Sequence, residues 1–329
     1  MNKKAVALLS GGLDSTLAVR IVKDQGIEVE ALSFKTQFNC CKDDAGRAAR
    51  ELGVPVTLLS TDDEYLKLVE KPKFGYGRGI NPCIDCRVYM FRLAKKFMEK
   101  VGASFLVTGE VVGQRPMSQQ KHQMAIIERE SNLTGILVRP LSAKLLDPTL
   151  PETEGILDRE KLYDFSGRSR TELIDLAHQF GIEWIPTPSN GCLLTEPDFA
   201  VRVRDMFKHQ TTRDRWDFDV LKFGRHFRLS DSAKVVLGKD QEENWRLESL
   251  HQPGRSILFH PENFKGPDAL LIQEGEMSDD TRDAVGRLIL KFTHQKRLQS
   301  EDVEISCLTS GAKQFFRLPL TVISPSTAS

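Results

Sequence analysis

Cys83 and Cys86 stand two residues apart in "INPCIDCRVY", behind the glycine-rich run "FGYGRGINP". A pair with this spacing could form a disulfide, half of a zinc site or part of an iron–sulfur site, or do no chemistry. A third thiol, Cys192, lies in "PSNGCLLTEP", where a glycine and flanking prolines place it on a loop. Three such thiolates suit an iron–sulfur cluster with one open iron. Structural zinc takes four protein ligands, and catalytic zinc takes three with an open position. A redox CxxC would pair Cys83 with Cys86 instead.

The second chemical feature is "SGGLDS", residues 10–15. Gly11 and Gly12 allow a sharp turn and close approach of backbone to a ligand. Amides at a helix start, helped by the helix dipole, hold phosphate. Ser10 and Ser15 add hydroxyls, and Asp14 is placed to help position Mg²⁺. The run is neither GxxxxGK[ST] nor GxGxxG. A plain glycine turn capped by Asp14 or Ser15 is the bland alternative.

These residues need a scaffold, and the hydrophobic pattern supplies one. "KAVALL" (4–9), "IEVEALSF" (27–34), "VPVTLLS" (54–60) and "ASFLVTGE" (103–110) read as strands. Between them "TLAVRIVKDQG", "CCKDDAGRAARELG" and "DCRVYMFRLAKKFMEKVG" read as helices. Alternating strands and helices predict an α/β fold with a doubly wound parallel sheet. Ligands of such sheets bind beyond the carboxyl ends of the strands. "SGGLDS", "SFKTQF" and "TGEVVGQRP" all fall at those ends. A further helix is expected over "GRSRTELIDLAHQFG". The pattern changes near residue 200. Beyond it "HFRLSDSAKVVLG" and "RSILFH" read as short strands and "DDTRDAVGRLILKFTHQ" as a helix, which predicts a smaller α+β domain over 201–329 after a catalytic domain over 1–200.

The chain of 329 residues has 46 Lys plus Arg and 46 Asp plus Glu, so a nucleic-acid surface must come from a local cluster. No apolar run approaches the ~20 residues of a membrane helix, and the N-terminal apolar stretch is too short for a signal core. A cytoplasmic protein without membrane contact is expected. Six cysteines are too sparse for a disulfide scaffold.

"SGGLDS" resembles the pyrophosphate loop of the ATP pyrophosphatase superfamily. In that superfamily the loop grips ATP, an acceptor oxygen attacks the α-phosphate, and pyrophosphate leaves. The tRNA thiolases resemble this chain further, in a CxxC followed by a single cysteine about a hundred residues on. "NPCIDCRVYMFRLAKKFMEKVGASFLVTGE" is similar to a segment of the 2-thiouridine synthetases. "VTGEVVGQRPMSQ" with "RPLSAKLLDPTLPE" is closer to proteins of the 4-thiouridine synthetase type. The resemblance covers residues 1 to about 200. It implies adenylation of a tRNA uridine carbonyl, then replacement of AMP by sulfur. Cofactors are then ATP, Mg²⁺ and a 4Fe–4S cluster on Cys83, Cys86 and Cys192, with hydrosulfide on the fourth iron and Asp14, Cys83 and Cys192 in catalytic roles. The competing mechanism uses Cys192 as a persulfide carrier. The sulfur donor would be inorganic sulfide or a cysteine desulfurase, and a homodimer is allowed for.

Other strand-end residues follow from the same frame. Ser33 and Phe34 are expected at the adenine, with a core Phe as the alternative. Gly109 resembles the family glycine beneath the nucleotide. Arg115, with Ser118 and Gln119, could meet phosphate, because a guanidinium is always ionised. Arg139, Arg168 and Arg170 are candidates for ATP or RNA phosphates. Cys40 and Cys41 read as small boundary residues or a sulfur relay, and Cys307 as core. Between 202 and 228 lie Arg202, Arg204, Lys208, Arg213, Arg215, Lys222, Arg225 and Arg228, against four aspartates. Trp216, Phe218, Phe223 and Phe227 interleave, a pattern that can track a phosphate backbone and stack on bases. A solvated basic face over a small core is the alternative. "KFGRHFRLSDSAKVVLGKDQEEN" resembles an RNA-binding domain related to that of ribosome quality-control factors. The chain shows no THUMP-like region ahead of its loop, and the C-terminal domain is expected to replace it.

Overall fold

The computed structural model describes residues 1–38, 44–187, 191–294, 302–309 and 311–319. Cys40 and Cys41 lie outside the described residues. The chain divides into two units, Met1–Ala200 and Val201–Ser329.

Unit 1 begins with β1 (Lys4–Leu8), α1 (Leu13–Lys23), β2 (Glu28–Lys35), α2 (Asp44–Leu52), β3 (Val56–Ser60) and α3 (Asp63–Glu70). It continues with α4 (Cys83–Lys100), β4 (Phe105–Val107), α5 (Lys121–Glu130), β5 (Leu137–Val138), the short α6 (Leu150–Thr153) and α7 (Thr171–Gln179). The strands form one parallel sheet in the order β3-β2-β1-β4-β5. Residues alternate across the pleat, so β1 points Ala5 and Ala7 to one face and Val6 to the other. Ala5 and Ala7 pack with Ala18, Val19 and Val22 of α1 and Ala48 and Ala49 of α2. Val6, Leu32 and Leu106 pack with Val88, Phe91 and Ala94 of α4 and Ile127 of α5. Both faces are covered, which is why "KAVALL" reads as an unbroken apolar run. Crossovers through helices on both faces make the sheet doubly wound, as the alternation predicts.

The boundaries differ in instructive places. "ASFLVTGE" keeps only Phe105–Val107 as strand; the Thr108 amide still donates to the Val138 carbonyl at 3.0 Å, and the chain leaves the sheet after it to build the loop beyond. Helix α7 begins at Thr171 rather than at Gly167, so Arg168 and Arg170 lie in the loop and at the N-cap ahead of it. Helices α3 and α5 carry no strong sequence signal, although Asp62 caps α3 by accepting from the Glu64 and Tyr65 amides.

Helix α8 (Pro197–His209) contains the boundary between the units. Unit 2 continues with α9 (Arg215–Val220), β6 (Arg225–Arg228), β7 (Ala233–Leu237), α10 (Gln241–Leu250), β8 (Ser256–Pro261), β9 (Ala269–Gln273), α11 (Asp279–Lys291), β10 (Asp302–Leu308) and β11 (Lys313–Pro319). Its sheet is antiparallel, in the order β11-β10-β8-β9-β7-β6. "HFRLSDSAKVVLG" is therefore two strands joined by the 229–232 turn, because the polar "SDS" breaks the ladder. Val285 and Ile289 of α11 close one face over Val235, Leu271 and Ile305. Cys307 is buried in the same cluster.

The placement of Arg139 goes against its expected role as a phosphate ligand. It is 4% exposed, beside Glu110 at 3%. Its Nε donates to Glu110 Oε2 at 3.0 Å and its NH1 to Glu128 Oε2 at 2.8 Å. It ties the chain after β5 to the chain after β4 and to α5. Removing one partner of a buried pair leaves an uncompensated charge, at a cost of about 3–5 kcal/mol. Arg139→Met is therefore expected to lower the unfolding free energy of unit 1 by about that amount, read from urea denaturation, while Lys144→Met, at the exposed Lys144–Glu160 pair, leaves it nearly unchanged.

Candidate functional site

Gly11 and Gly109 bring three chain segments to van der Waals contact at the carboxyl end of the sheet. Gly11 has φ +77°, and a Cβ there would stand 2.2 Å from the Asp44 carbonyl carbon. A Cβ on Gly109 would stand 2.5 Å from the Asp14 carbonyl and the Ser15 amide nitrogen. The loop is knitted by Ser15, whose Oγ donates to the Gly12 carbonyl at 2.9 Å and lies 3.2 Å from Ser10 Oγ. No side chain caps the start of α1. Its amide end stays open to an anion, as phosphate binding at a helix start requires.

Asp14 lies at the opening of this loop. Burial raises its carboxyl above the usual range, and the Gln114 amide, Arg170 and Arg115 pull it back in that order. Gln114 Nε2 donates to Asp14 Oδ2 at 3.0 Å. A bridge between Val112 and Ser166 docks the 166–170 segment beside the 112–115 loop, and the Gly167 amide donates to the Val112 carbonyl at 2.8 Å. The structure thus brings Arg115 and Arg170 to Asp14, whereas Arg168 is exposed ahead of α7. Ser33 is buried, and Phe34 is half-buried against the α4 core.

The cysteines assemble next to this loop through glycine and aspartate. Asp85, between Cys83 and Cys86, accepts from the Lys73 amide at 2.8 Å and the Phe74 amide at 3.0 Å. It pins the start of the glycine-rich run. A Cβ on Gly77 would meet the Met117 side chain at 2.7 Å. A Cβ on Gly79 would meet the Leu194 carbonyl oxygen at 2.5 Å, and the Ile80 amide donates to that same oxygen at 3.0 Å. The Leu193 amide donates to the Phe38 carbonyl at 3.2 Å. These contacts draw the Cys192 loop onto the residues just ahead of Cys83.

Tyr65 sits at the hub. Its hydroxyl lies 3.3 Å from Cys86 Sγ, and all three thiols are within electrostatic reach of it. Burial raises the Cys83 thiol, and Arg87 and Arg115 lower it. Burial raises Cys86, and the Tyr65 hydroxyl lowers it. Burial pushes Cys192 up to about 12, with the neighbouring thiols at Cys86 and Cys83 adding to the rise. Among the described residues no three His, Cys, Asp or Glu side chains are placed to hold a metal ion. The chemistry of the donors nonetheless suits a thiolate-ligated cluster. They are three sulfurs from two segments, held neutral by burial, and a cationic centre would relieve the cost of ionising them.

The sequence does not announce Tyr65, whose spacing is that of an ordinary α3 core residue. Asp85 and Gln114 carried a signal in their position, one inside the CxxC and the other next to Arg115.

In unit 2 the basic stretch is largely committed internally. Arg228 grips Asp205 through two bonds at 3.1 and 2.6 Å, and Lys222 pairs with Asp219. Arg202 donates to the Leu221 carbonyl, and Arg225 lies 5.0 Å above the Phe292 ring. Arg204 is exposed. Trp216 and Phe218 are core residues at 8% and 2% exposure. The expectation of a stacking surface from these two fails, since the apolar side of α9 packs inward.

The chain's similarities fall along the same division. Residues 3–134 match the tRNA methyl transferase HUP domain family, and residues 224–323 match the NFACT protein RNA binding domain. The resemblance to pyrophosphate-loop enzymes of tRNA thiolation is borne out in sequence relatives. The tRNA-specific 2-thiouridylase MnmA of Caldicellulosiruptor saccharolyticus is 28% identical over 220 residues, 60% of this chain and 57% of that protein. The protein of the same name from Clostridium acetobutylicum is 32% identical over 33% of this chain and 36% of its own length. The chain thus spans between about a third and somewhat over half of the length of these relatives. A 4-thiouridine synthetase–RNA complex with bound ATP aligns at 24% identity and a TM-score of 0.35, over 54% of this chain and 51% of that one. No helix among the described residues is long and apolar enough to cross a membrane.

Arg115 faces both halves of the site, and that gives a test in the metal-free protein. Removing its positive charge withdraws a group that favours the Cys83 thiolate. In Arg115→Gln the pH midpoint for alkylation of Cys83, followed by mass spectrometry, is expected to move upward, and labelling at neutral pH to slow.

Proposed function

We propose that this protein is an ATP-dependent tRNA uridine thiolase. The observation that carries the reading is Arg115, within electrostatic reach of Asp14 at the phosphate loop and of Cys83 among the thiols. Nucleotide activation and sulfur chemistry then share one crevice at the carboxyl end of the sheet, where such sheets bind ligands.

In this reading Ser10, Gly11, Gly12 and Ser15 hold the polyphosphate at the start of α1. Asp14 places Mg²⁺, and Arg115 and Arg170 offset phosphate charge. Ser33 and Phe34 contact the adenine, and Gly109 lets the nucleotide loop sit low over the sheet. The uridine carbonyl oxygen attacks the α-phosphorus, and diphosphate leaves. A sulfur nucleophile adds to the activated carbon, and AMP departs with the former carbonyl oxygen. A cluster held by Cys83, Cys86 and Cys192 would supply an open iron that binds and activates external sulfide. The competing reading makes Cys192 a persulfide carrier, and either role requires its buried thiol to ionise. Sulfide or a cysteine desulfurase serves as donor. Unit 2 supplies RNA affinity, in keeping with the domain it matches.

The segment "GEVVGQRPMSQ" supports C4 as the carbon attacked. A second reading, thiolation at C2, is favoured by the names of the curated relatives. Mass spectrometry of tRNA nucleosides from a deletion strain separates the two. One thiouridine is expected to disappear, to return with the wild-type gene, and to stay absent with Gly11→Ala, Cys83→Ala or Cys192→Ala. Unchanged 2- and 4-thiouridine in the deletion strain, or tRNA-dependent release of ADP instead of AMP, would sink the proposal.

A further inference from the structure

Each of the three thiols in unit 1 faces a hydrogen-bond donor. The Tyr65 hydroxyl lies 3.3 Å from Cys86 Sγ. The Asn81 side chain reaches Cys83, and the Leu194 amide reaches Cys192. These donors come from three places: helix α3, the turn ahead of α4 and the loop after Cys192. The Tyr65 hydroxyl is the one that a change of a single heavy atom removes.

Tyr65 is held by its surroundings rather than by the thiol. The residue is 1% exposed. Its ring centroid lies 6.1 Å from that of Phe38 and 5.4 Å from that of Tyr89. Its amide donates to Asp62 Oδ1 at 3.4 Å, and the Tyr89 hydroxyl donates to the same oxygen at 2.8 Å. A buried hydroxyl is costly without a hydrogen-bond partner, and Cys86 Sγ is the partner it meets.

The direction of that bond depends on the state of the sulfur. Between a thiol and a phenol either group can donate. A sulfur bound to a metal has given up its proton and can only accept. A phenol with its usual pKa near ~10 keeps its proton at neutral pH, so the hydroxyl then donates. Hydrogen bonds to the ligand sulfurs are among the factors that set the potential of an iron–sulfur centre. Such a bond stabilises negative charge on the ligand and so favours the reduced state.

We infer that Tyr65 is a positioning residue of the thiol site, its hydroxyl donating to the Cys86 sulfur when that sulfur ligates a cluster and drawing charge from it, so that the open iron stays electrophilic towards sulfide. The inference rests on the cluster reading given above. It adds to the three cysteines a group from a separate helix.

The test uses the full chain, wild type and Tyr65→Phe, reconstituted anaerobically with ferrous iron and sulfide. Iron per chain, visible absorption and the midpoint potential are measured. Both proteins are expected to load. The midpoint of Tyr65→Phe is expected to fall by about 59 mV, a tenfold loss of preference for the reduced state in a one-electron couple. Tyr89→Phe removes the neighbouring hydroxyl, which donates to Asp62, and should leave the potential unchanged. A chain made with 3-fluorotyrosine at its four tyrosines carries a stronger donor, so its midpoint should rise, and that rise should vanish in the Tyr65→Phe background. The fluorinated chain has no substitution and decides the matter even where Tyr65→Phe fails to fold or load. Equal midpoints in wild type and Tyr65→Phe, or an unmoved midpoint in the fluorinated chain, would overturn the role of Tyr65 and keep the cluster reading. Wild-type protein that takes up no iron would overturn both.

Discussion

Backbone touches backbone where a side chain would not fit, and the carboxyl end of the unit 1 sheet is built on that constraint. Gly109 lets the chain leaving β4 lie against the first turn of α1, and Gly11 lets the loop ahead of α1 lie against the start of α2. Any larger residue would need the segments to part by about an ångström or more, because overlap with main-chain atoms cannot be relieved by a rotamer change. The open amide end of α1, the Asp14 carboxyl and the loop carrying Gln114 and Arg115 owe their proximity to those contacts. The sheet supplies the stability, with both faces covered and β1 at the middle of five strands.

The sulfur half of the site uses a different device. Cys83 and Cys86 ride on α4, whose buried side belongs to the core, whereas Cys192 arrives on a loop held by main-chain hydrogen bonds to Ile80 and Phe38. Rigid and adaptable donors are thus combined. Their shared burial keeps the thiols protonated in the absence of a cation. Arg87 and Arg115 provide positive charge near Cys83, and Arg115 acts on the Asp14 carboxylate as well. Polarity is concentrated in a few groups that each face two partners.

Much of this was legible beforehand because the signals were local. The strand–helix alternation, the strand-end positions of "SGGLDS" and "TGEVVGQRP", and the change of pattern near residue 200 are all properties of short windows. The failures came from partners distant in sequence. Arg139 looked like a phosphate ligand because nothing in "VRPLSAK" reveals Glu110 and Glu128 waiting on other elements. Trp216 and Phe218 looked like stacking residues because a six-residue helix gives too little periodicity to show which side is inward. Tyr65 stayed hidden because its hydroxyl acquires meaning only when Cys86 is folded against it.

Asp85 draws these threads to one further consequence. A single carboxylate inside the cysteine pair holds both the Lys73 and Phe74 amides, and the run it anchors continues past Gly77 against Met117 and Gly79 against Leu194. Four separate stretches of polypeptide are therefore mechanically linked through one acidic side chain. Genetic drift at that position cannot be repaired nearby, since a neutral amide would keep at best part of the grip and a longer acid would displace the turn. Natural variation in this chain should accordingly treat Cys83, Asp85 and Cys86 as one inherited block, lost or retained together.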